Sequence, residues 1–327
     1  MARTSVTPDG ALPLVSIVLP THRPNPYFGA ALESVRAQTW ARWELVVVDD
    51  GWSDRSLLER LVGDDPRCRI VFHPPGGVAR ARNRGLSEAA GTFIAFLDHD
   101  DEWMPDHLTT TVEALQADAG AVASYSLGRT VDTKGVEILH LSPRGPVTNQ
   151  EILSGGDRPS INTLLARRDA VLRVGGFEYL VEPADDLDLI FKLALEGHFA
   201  CTGTASILYR IHEGGLSQDL VAICDAHLRM LQLHEKAARA RNDAPAAALF
   251  RKNRRYQEDC YSSLARRELV HALRADTRDQ AEITRIVRWY ARLPVRSLVH
   301  DVVQGAAAKA RQVLVPGGTR PRDPGTP

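Results

Sequence analysis

The sequence predicts an α/β protein in which a mostly parallel sheet is flanked by helices and followed by a C-terminal helical appendage. Over residues 14–97, short and nearly all-apolar runs alternate four times with segments whose apolar residues recur at helical spacing. This alternation is typical of parallel strands that are buried on both faces and joined by helices. From about residue 218 the sequence becomes rich in Ala, Arg and Leu with helical periodicity. That change marks the predicted start of the appendage.

The first half of the chain contains four predicted strands and the helices between them. The strands lie at residues 14–19, 44–48, 69–72 and 93–97. Asn25-Pro26 opens the first helix, Ser53-Asp54 caps the second, and Gly76-Gly77 precedes the third. Because each strand is apolar along nearly its whole length, we expect all four to belong to a sheet covered on both faces.

The later elements follow a looser pattern. We predict helices at 104–116, 168–174 and 185–195, strands at 121–125, 160–167 and 206–212, and a hairpin with loops over 127–160. Further helices are predicted at 218–241, 245–272, 277–292 and 295–313. The predicted organisation is a flexible N-terminus at 1–11, an α/β domain at 12–217, a basic helical appendage at 218–313 and a disordered tail at 314–327.

Composition favours a globular cytoplasmic protein. The 327 residues are 44% hydrophobic and 25% charged, which is ordinary for a globular domain. No run of about 18 apolar residues is present, and the first ten residues lack the apolar core of a secretion signal. The four cysteines are scattered without paired spacing, which favours reduced thiols over a disulfide framework or a zinc site.

Charge is divided unequally along the chain. Residues 220–327 contain 20 Lys and Arg against 11 Asp and Glu, whereas residues 1–219 contain 20 against 30. This division predicts an acidic part that holds a metal and a basic part that faces something anionic. Two interpretations of the basic helices stay open, namely packing against the α/β domain and peripheral contact with the inner face of a membrane. Nucleic acid is not an expected partner, because these helices carry few aromatic residues.

Two predicted strands end in carboxylates, at Asp49-Asp50-Gly51 and at Asp98-His99-Asp100-Asp101. Because parallel strands have their carboxyl ends at one edge of a sheet, we expect the two acidic segments to meet there. Clustered carboxylates repel one another unless a hard divalent cation lies between them. One carboxylate can accept hydrogen bonds from a base or ribose while another holds a metal on a diphosphate. The alternative interpretation of the second segment is a solvated acidic turn that caps the following helix.

The sequence lacks the glycine-rich loop of dinucleotide-binding folds. Gly76-Gly77 precedes a helix, but the pattern G-x-G-x-x-G is absent. We therefore expect the phosphates of a nucleotide to depend on the metal and on basic side chains such as Arg82.

Taken together, these segments resemble the motifs of the family 2 glycosyltransferases, which have the GT-A fold. The resemblance runs from Val15 to about Ser217, in the family's order. It is carried by Val15-Ser16-Ile17-Val18-Leu19-Pro20-Thr21, Val47-Val48-Asp49-Asp50-Gly51, Ala81-Arg82-Asn83-Arg84-Gly85, Phe96-Leu97-Asp98-His99-Asp100-Asp101, Gly175-Gly176-Phe177 with Asp185-Asp186-Leu187-Asp188-Leu189, and Tyr209-Arg210-Ile211-His212. It implies a GT-A-like α/β fold for residues 12–217.

The resemblance implies roles for five residues of a donor site. Thr21 would lie near the nucleotide base, and the base would contact Asp50. The helix motif with Arg82 and Asn83 would line the nucleotide-sugar pocket. In the D-x-D element, Asp98 would lie near the ribose and the metal.

Three further roles complete the implied site. Asp100 would be the direct metal ligand, and His212, with Ser217 behind it, would reach the diphosphate or the metal. Asp186 would be the catalytic base, because the family's Glu-Asp pair appears here as Asp185-Asp186. On a helix Asp185 and Asp188 share a face while Asp186 points about 100° away. Whether either neighbour shares the role of base stays open.

Two departures from the family pattern surround the base site. His22-Arg23 stands where Tyr-Asn usually follows the threonine, and Trp52 stands where serine is usual. The donor nucleotide therefore stays open among UDP, dTDP and GDP.

The implied activity is metal-dependent, inverting transfer of a sugar from a nucleoside diphosphate sugar to an acceptor hydroxyl. Mn²⁺ or Mg²⁺ held by Asp100 and Asp98 would stabilise the leaving diphosphate, and Asp186 would deprotonate the acceptor. Candidate acceptors are a glycan, a lipid-linked sugar and a natural-product scaffold. One alternative is a sugar nucleotidyltransferase. Such an enzyme would need a triphosphate-binding loop rich in Gly, Arg and Lys after the first strand, and His22-Arg23-Pro24-Asn25 does not supply one. The other is a catalytically silent nucleotide-binding or scaffold protein, which would have no need of Asp100 and Asp186.

Overall fold

The computed structural model describes residues 12–23, 25–52, 54–140, 143–212 and 219–274, together with Arg285. The chain divides into two compact units, Met1–Asn253 and Arg254–Pro327. The sheet and the candidate site belong to the first unit.

Four parallel strands form the first half of the sheet. They are β1 (Val15–Thr21), β2 (Trp43–Asp49), β3 (Cys68–Phe72) and β4 (Phe93–Phe96), in the spatial order β3-β2-β1-β4. The helices between them are α1 (Phe28–Arg36), α2 (Arg55–Val62) and α3 (Val78–Glu88). The predicted α/β class is confirmed here, and the carboxyl ends of β1, β2 and β4 share one edge.

The second half of the sheet is mixed. Its strands are β5 (Glu102–Trp103), β6 (Ala121–Val131), β7 (Glu137–His140), β8 (Leu164–Arg167) and β9 (His198–Arg210). β8 runs antiparallel to both β4 and β6, and β9 runs parallel to β6 and antiparallel to β5. Among the described residues the order is β3-β2-β1-β4-β8-β6-β9-β5, with β7 paired to β6. The sheet is therefore parallel over its first four strands and changes direction where β8 enters.

Six helices follow β5 in the described part of the chain. They are α4 (His107–Ala117), α5 (Asn149–Ser154), α6 (Arg168–Arg173), α7 (Asp185–Glu196), α8 (Leu220–Ala240) and α9 (Ala244–Arg274), with 3-10 turns at Ile161–Thr163 and Tyr179–Val181. The predicted helices at 218–241 and 245–272 correspond to α8 and α9. The terminal segment 1–11, the helix predicted at 295–313, the tail, and all of the helix predicted at 277–292 except Arg285 lie outside the described residues.

Three strand predictions were wrong at their boundaries. The strand predicted at 121–125 continues to Val131. The segment predicted as a strand at 160–167 begins with a 3-10 turn, so that its extended part is Leu164–Arg167. The last strand has 13 residues and begins at His198 instead of 206. It continues through the polar stretch around Gly203, whose φ of 74° accommodates a shift in the pairing with β6.

The sheet is covered on both faces, as its apolar strands predict. Alternate residues of β1 enter different cores: Val18 packs in one with Phe96, and Ile17 and Leu19 pack in the other with Leu45. All five side chains are buried. Burying one such side chain fully contributes about 1.5–3 kcal/mol. The double core therefore fixes the strand ends from which the site is built.

α3 approaches β1 closely at Gly85. A Cβ at this position would come within 2.3 Å of Val18 Cγ1, so glycine is needed for the contact. The close approach holds α3 against the sheet and fixes Arg82, three residues earlier, near the ends of the strands.

Within the part of the chain that the structure describes, no helix combines the length and the apolar content needed to cross a bilayer.

Candidate active site

A cavity of about 400 Å³ opens at the carboxyl edge of the parallel strands. Asp50 follows β2, Asp98 and Asp100 follow β4, and all three line the cavity. The two acidic segments therefore meet at one place, as the parallel arrangement predicts. Other lining residues that matter below are Thr21, His22, Pro75, Gly77, Val78, Arg82, His99, Glu182 and Arg210.

Asp50 is held at one end of the cavity by the loop before α3. Its carboxylate accepts hydrogen bonds from Gly76 N at 2.8 Å and Gly77 N at 2.9 Å, and it lies 3.2 Å from His73 Nδ1. The preceding Asp49 turns back to its own loop, where it accepts a hydrogen bond from Gly51 N at 2.9 Å. Asp50 is thus the member of the pair that lines the cavity.

His99 makes its contacts with the end of β1. Its Nδ1 lies 3.0 Å from Thr21 Oγ1, and its ring stacks on His22 with centroids 5.6 Å apart. Burial lowers the pKa of both histidines, although the charge of Asp100 opposes the shift. Near neutral pH this part of the wall therefore consists of uncharged imidazoles and a hydroxyl.

Arg82 joins two acidic regions. Its Nη2 donates to Asp98 Oδ1 at 2.6 Å, and its Nη1 donates to Asp185 Oδ2 at 2.8 Å. Burial alone would lower the pKa of Arg82, but the charges of Asp98 and Asp185 outweigh it and raise the pKa. Its buried Nε makes no hydrogen bond within the described residues. Arg82 is therefore a permanent cation that the protein has already paired on two sides.

Asn162 completes the environment of Asp98. Its Nδ2 donates to Asp98 Oδ2 at 3.0 Å and also to Asp101 Oδ2, while its Oδ1 accepts from Asp98 N at 3.1 Å. Burial would raise the pKa of Asp98, but the charge and hydrogen bonds of Arg82 lower it. Burial and the charge of Asp100 leave the pKa of Asp101 well above its usual range. Sequence reasoning missed Asn162, because the pairing of β8 with β4 brings it here.

Asp100 contacts His212, which lies two residues past the end of β9. Its Oδ2 lies 2.9 Å from His212 Nε2, and the His212 ring packs on Tyr27 with centroids 5.2 Å apart. The Asp100 side chain is 21% exposed and lines the cavity. The motif Tyr209-Arg210-Ile211-His212 therefore reaches the acidic segment after β4. Ser217, predicted to act behind it, lies outside the described residues.

These side chains suit a hard divalent cation shared with a phosphate group. Asp100 offers an accessible carboxylate, His212 lies beside it, and Asp98 adds a second carboxylate that Arg82 and Asn162 orient. Mg²⁺ is usually bound by one or two carboxylates plus phosphates and water. Over the residues that the structure describes, no group of three or more His, Cys, Asp or Glu is placed so that it could hold a metal ion by itself. The donor set therefore fits a cation whose coordination a nucleotide would complete.

Asp185 and Asp188 are both engaged in ion pairs that hold α7. Asp185 binds Arg82, as described above. Asp188 Oδ1 lies 2.8 Å from His234 Nε2 on α8, and its Oδ2 lies 2.6 Å from Lys192 Nζ. Both side chains are buried. These two carboxylates therefore fasten the helix on which Asp186 lies.

Asp186 is in a different environment from its neighbours. Its Oδ1 accepts a hydrogen bond from Leu187 N at 2.7 Å. Burial, followed by the charge of Asp185, raises the pKa of Asp186 to about 6. Asp186 itself is not among the described residues that line the cavity, and the lining residue nearest to it in the sequence is Glu182. A carboxylate with such a pKa is suited to general base catalysis near neutral pH.

Glu182 is a cavity residue that belongs to none of the sequence motifs. Its carboxylate accepts hydrogen bonds from Val78 N at 3.3 Å and Ala79 N at 3.2 Å, at the beginning of α3. Burial raises the pKa of Glu182, and the hydrogen bond from Ala79 N opposes the shift. The one signal in the sequence is its place three residues before Asp185.

Asn83 connects two motifs. Its Nδ2 donates to Phe177 O at 2.8 Å, and its Oδ1 accepts from Phe177 N at 2.9 Å. It thereby ties α3 to the turn before α7, where a Cβ at Gly176 would meet Asn83 Oδ1 at 2.5 Å. Both ends of its amide are used in this contact, and its binding to a nucleotide stays a prediction.

Comparisons with known sequences point to one family. Residues 16–172 match the model of the family described as Glycosyl transferase family 2. Chondroitin synthase of Pasteurella multocida (strain Pm70) is 29% identical over 196 residues, 58% of this chain and 20% of that protein. The Escherichia coli UDP-Glc:alpha-D-GlcNAc-diphosphoundecaprenol beta-1,3-glucosyltransferase WfgD is 39% identical over 103 residues, 31% of this chain and 41% of that protein. The chain thus spans between about a fifth and two fifths of these curated relatives.

Solved structures share the fold. S. aureus TarS 1-349 superposes with a TM-score of 0.60 at 17% identity, covering 86% of this chain and 82% of that one. The same fragment has been solved in complex with UDP-GlcNAc. The mannosyltransferase PcManGT from Pyrobaculum calidifontis, solved in complex with GDP-Man and Mn²⁺, gives a TM-score of 0.57 at 20% identity, covering 91% and 90%. At these identities the likeness is one of fold.

Proposed function

We propose that this protein is a family 2 glycosyltransferase that transfers a sugar from a nucleoside diphosphate sugar to an acceptor hydroxyl, because residues 16–172 match the family model and the chain shares the fold of TarS 1-349. The observation that carries the proposal is the pair of hydrogen bonds from Arg82 to Asp98 and Asp185. They bring the acidic segment after β4 next to the helix that carries Asp186. A donor in the cavity would then have its leaving group on one side and a carboxylate base on the other.

The nucleotide would occupy the end of the cavity formed by Asp50, Thr21, His22 and Pro75. The Asp50 carboxylate can accept hydrogen bonds from a base, and its loop contacts keep it in place. TarS and PcManGT were solved with UDP-GlcNAc and GDP-Man, which supports a nucleoside diphosphate sugar as the donor class. UDP-, dTDP- and GDP-linked sugars all fall within the proposal.

Asp100 would be the direct ligand of a divalent cation, with Asp98 and His212 beside it. Mn²⁺ or Mg²⁺ supplies Lewis-acid stabilisation of a leaving diphosphate when bound, and PcManGT was solved with Mn²⁺. Arg82 keeps Asp98 ionised, because its charge lowers the pKa of that carboxyl. Asn162 orients the same carboxylate through its amide.

Asp186 would be the general base. With a pKa of about 6 it is largely ionised at neutral pH, yet it is more basic than an ordinary aspartate and can accept the proton of an attacking hydroxyl. Attack assisted by a single base in one displacement inverts the anomeric carbon. Asp185 and Asp188 would act by positioning α7 through Arg82 and His234.

The acceptor classes proposed are a glycan, a lipid-linked sugar and a natural-product scaffold. WfgD is named for an acceptor linked to diphosphoundecaprenol, which supports testing lipid-linked sugars first. Such an acceptor would be met on the cytoplasmic side, with residues 218–313 in contact with an anionic membrane surface. We expect the full chain to co-sediment with anionic vesicles and not with neutral ones. If it does not bind anionic vesicles, the proposed membrane contact is wrong.

A panel of nucleotide sugars incubated with Mn²⁺ or Mg²⁺ tests the function. We expect release of a nucleoside diphosphate from one donor series, dependent on the metal and accelerated by a suitable acceptor. A sugar nucleotidyltransferase would instead release pyrophosphate from a nucleoside triphosphate and a sugar phosphate. Release of the nucleoside diphosphate at the same rate without the metal would contradict the proposal, as would the absence of both reaction and binding with every donor.

A further inference from the structure

We propose that Glu182 makes the donor site selective for nucleoside diphosphate sugars with an uncharged sugar and excludes uronates, whose sugar carries a carboxylate. The inference rests on the proposed function, because it presumes that such a donor occupies the cavity. What it adds is the chemical class of the sugar. It is drawn from the position of one carboxylate and from the balance of charge around it.

Glu182 is fixed in the wall of the cavity. Its carboxylate is bound to Val78 N and Ala79 N, the first amides of α3. Gly77 permits this approach, because a Cβ there would lie 2.6 Å from Glu182 Oε1. A helix N-terminus is a favourable place for negative charge. The carboxylate is therefore held at the cavity surface whether or not a ligand is present.

The donor sugar would lie against this wall. The proposed metal ligands Asp98 and Asp100 mark the place of the diphosphate, and the proposed base Asp186 has to lie beyond the anomeric carbon from it. The sugar therefore falls between the two aspartates and residues 182–186. Within that segment, all of which the structure describes, Glu182 is the residue that lines the cavity.

The charges at this end favour an uncharged sugar. Among the described residues that line the cavity, Arg82 is the arginine that contacts residues 182–186, and it is already bound to Asp98 and Asp185. The two other lining arginines belong to other segments: Arg210 is bound to Glu102, and Arg23 lies in the loop after β1. The hydrogen bonds that Glu182 and Asp186 accept from Val78, Ala79 and Leu187 come from backbone amides, which carry no full charge. Two carboxylates thus contact the Arg82 guanidinium, and the charges of Asp186 and Glu182 also act on it. A sugar carboxylate that enters this region would meet a guanidinium already bound to two carboxylates.

The same wall can bind hydroxyl groups. Each oxygen of an ionised carboxylate has two lone pairs, and the backbone amides occupy part of this capacity on Glu182. A hydroxyl can donate to what remains, whereas a carboxylate cannot donate at all. A site discriminates between ligands most strongly when the wrong one meets an unpaired like charge. Glu182 thus combines attraction for a neutral sugar with repulsion of a uronate.

Isothermal titration of the full chain with matched donors tests the inference. The pairs are UDP-glucose with UDP-glucuronate and GDP-mannose with GDP-mannuronate, measured with Mn²⁺ at pH 8 beside UDP and GDP alone. In the series that binds, the neutral sugar should bind about tenfold or more tightly than the uronate. Glu182→Gln keeps the size and removes the charge, so it should tighten uronate binding and reduce the ratio to about threefold or less.

Glu178→Gln is the matched control. Glu178 lies in the same segment and accepts a hydrogen bond from Leu180 N at 3.1 Å, but it is not a lining residue of the cavity. This variant should keep the wild-type ratio. Equal binding of the two sugars to the wild type would overturn the inference, as would full discrimination in a folded Glu182→Gln variant. If Glu182→Gln binds no donor, the wild-type ratio alone decides.

A failure of the proposed function would look different. In that case neither UDP nor GDP would bind with Mn²⁺, and no sugar series could be compared. If UDP or GDP binds and the sugars are not discriminated, the inference about Glu182 fails and the proposed function stands.

Discussion

His212 Nε2 lies 2.9 Å from Asp100 Oδ2, although 112 residues separate the two in the sequence. The contact joins the segment after β9, in the mixed half of the sheet, to the acidic segment after β4, in the parallel half. If Asp100 binds a cation, His212 is the side chain that orients it or shares the ion. The proposed metal site is therefore complete only when both halves of the domain have folded together.

His212→Ala should weaken the response to metal. Removing the imidazole leaves Asp100 without the partner that orients it, and such partners contribute about 10–100-fold in metal affinity or activity. The Mn²⁺ concentration that gives half-maximal transfer should rise by about this factor. A Mn²⁺ titration of the transfer rate measures it.

His198→Ala is the control for that measurement. His198 Nε2 lies 2.7 Å from Asp118 Oδ2 at the other end of β9, and its side chain is 53% exposed. This variant loses a similar His–Asp contact away from the cavity, so its Mn²⁺ requirement should not change. Equal effects of the two substitutions would show that the His212 contact is not specific to the site.

Asn162→Ala should lower both stability and donor affinity. The amide donates to the carboxylates of Asp98 and Asp101, and leaving a buried acceptor unsatisfied costs about 1–3 kcal/mol. Asp98 also loses the group that orients it, so binding of UDP or GDP with Mn²⁺ should weaken. Urea unfolding gives the free energy of unfolding, and calorimetry gives the affinity.

Asn149→Ala separates the two effects of Asn162→Ala. Asn149 Nδ2 donates to Ala194 O at 2.8 Å and Gly197 O at 2.9 Å, and Asn149 is not a cavity residue. It should cost stability and leave nucleotide binding unchanged. If Asn162→Ala behaves in the same way, Asn162 is a purely structural residue.

Asp186→Asn should remove transfer and leave donor binding largely intact. The amide cannot accept the proton of the acceptor, and a general base contributes about 10²–10⁴-fold. The turnover number and the Kd of the donor are measured on the same preparation. Asp188→Asn serves as the comparison, because it disturbs the contacts with His234 and Lys192. It should lower Tm and have only a small effect on the turnover number. Unchanged turnover in Asp186→Asn would rule out its role.

The transfer rate should rise with pH around 6 and level off above neutrality. Burial and the charge of Asp185 raise the pKa of Asp186 to about 6, so the protonated and inactive form predominates below that pH and the ionised base above it. The turnover number is measured with saturating donor and Mn²⁺ between about pH 5 and pH 8. A pH profile with its midpoint at about 4, the ordinary pKa of aspartate, would contradict this assignment of the base.

The convergence of Asp50 and Asp100 could be predicted because it needs only the parallel half of the sheet. The strands before them are apolar along nearly their whole length, which predicts parallel pairing, and parallel strands share the edge at which they end. By contrast, Asn162 lies in a 3-10 turn before β8, and the antiparallel pairing of β8 with β4 has no local signal in the sequence.

Arg82 illustrates the same limit. Its helix motif predicts a place in the pocket, and it lines the cavity. Its contact with Asp185 spans 103 residues, and no pattern near either residue indicates that they meet. Glu182 was missed for a related reason, because it lies in an irregular segment and its partners are backbone amides of α3.

Thermal unfolding of the full chain tests most directly the claim that the acidic strand ends hold a cation at the donor diphosphate. Wild type, Asp100→Asn and the surface control Asp118→Asn are compared with UDP or GDP, each with and without Mn²⁺. We expect Tm to rise when nucleotide and Mn²⁺ are present together, in the wild type and in Asp118→Asn but not in Asp100→Asn. A rise that needs no metal, or one of equal size in Asp100→Asn, would contradict that claim.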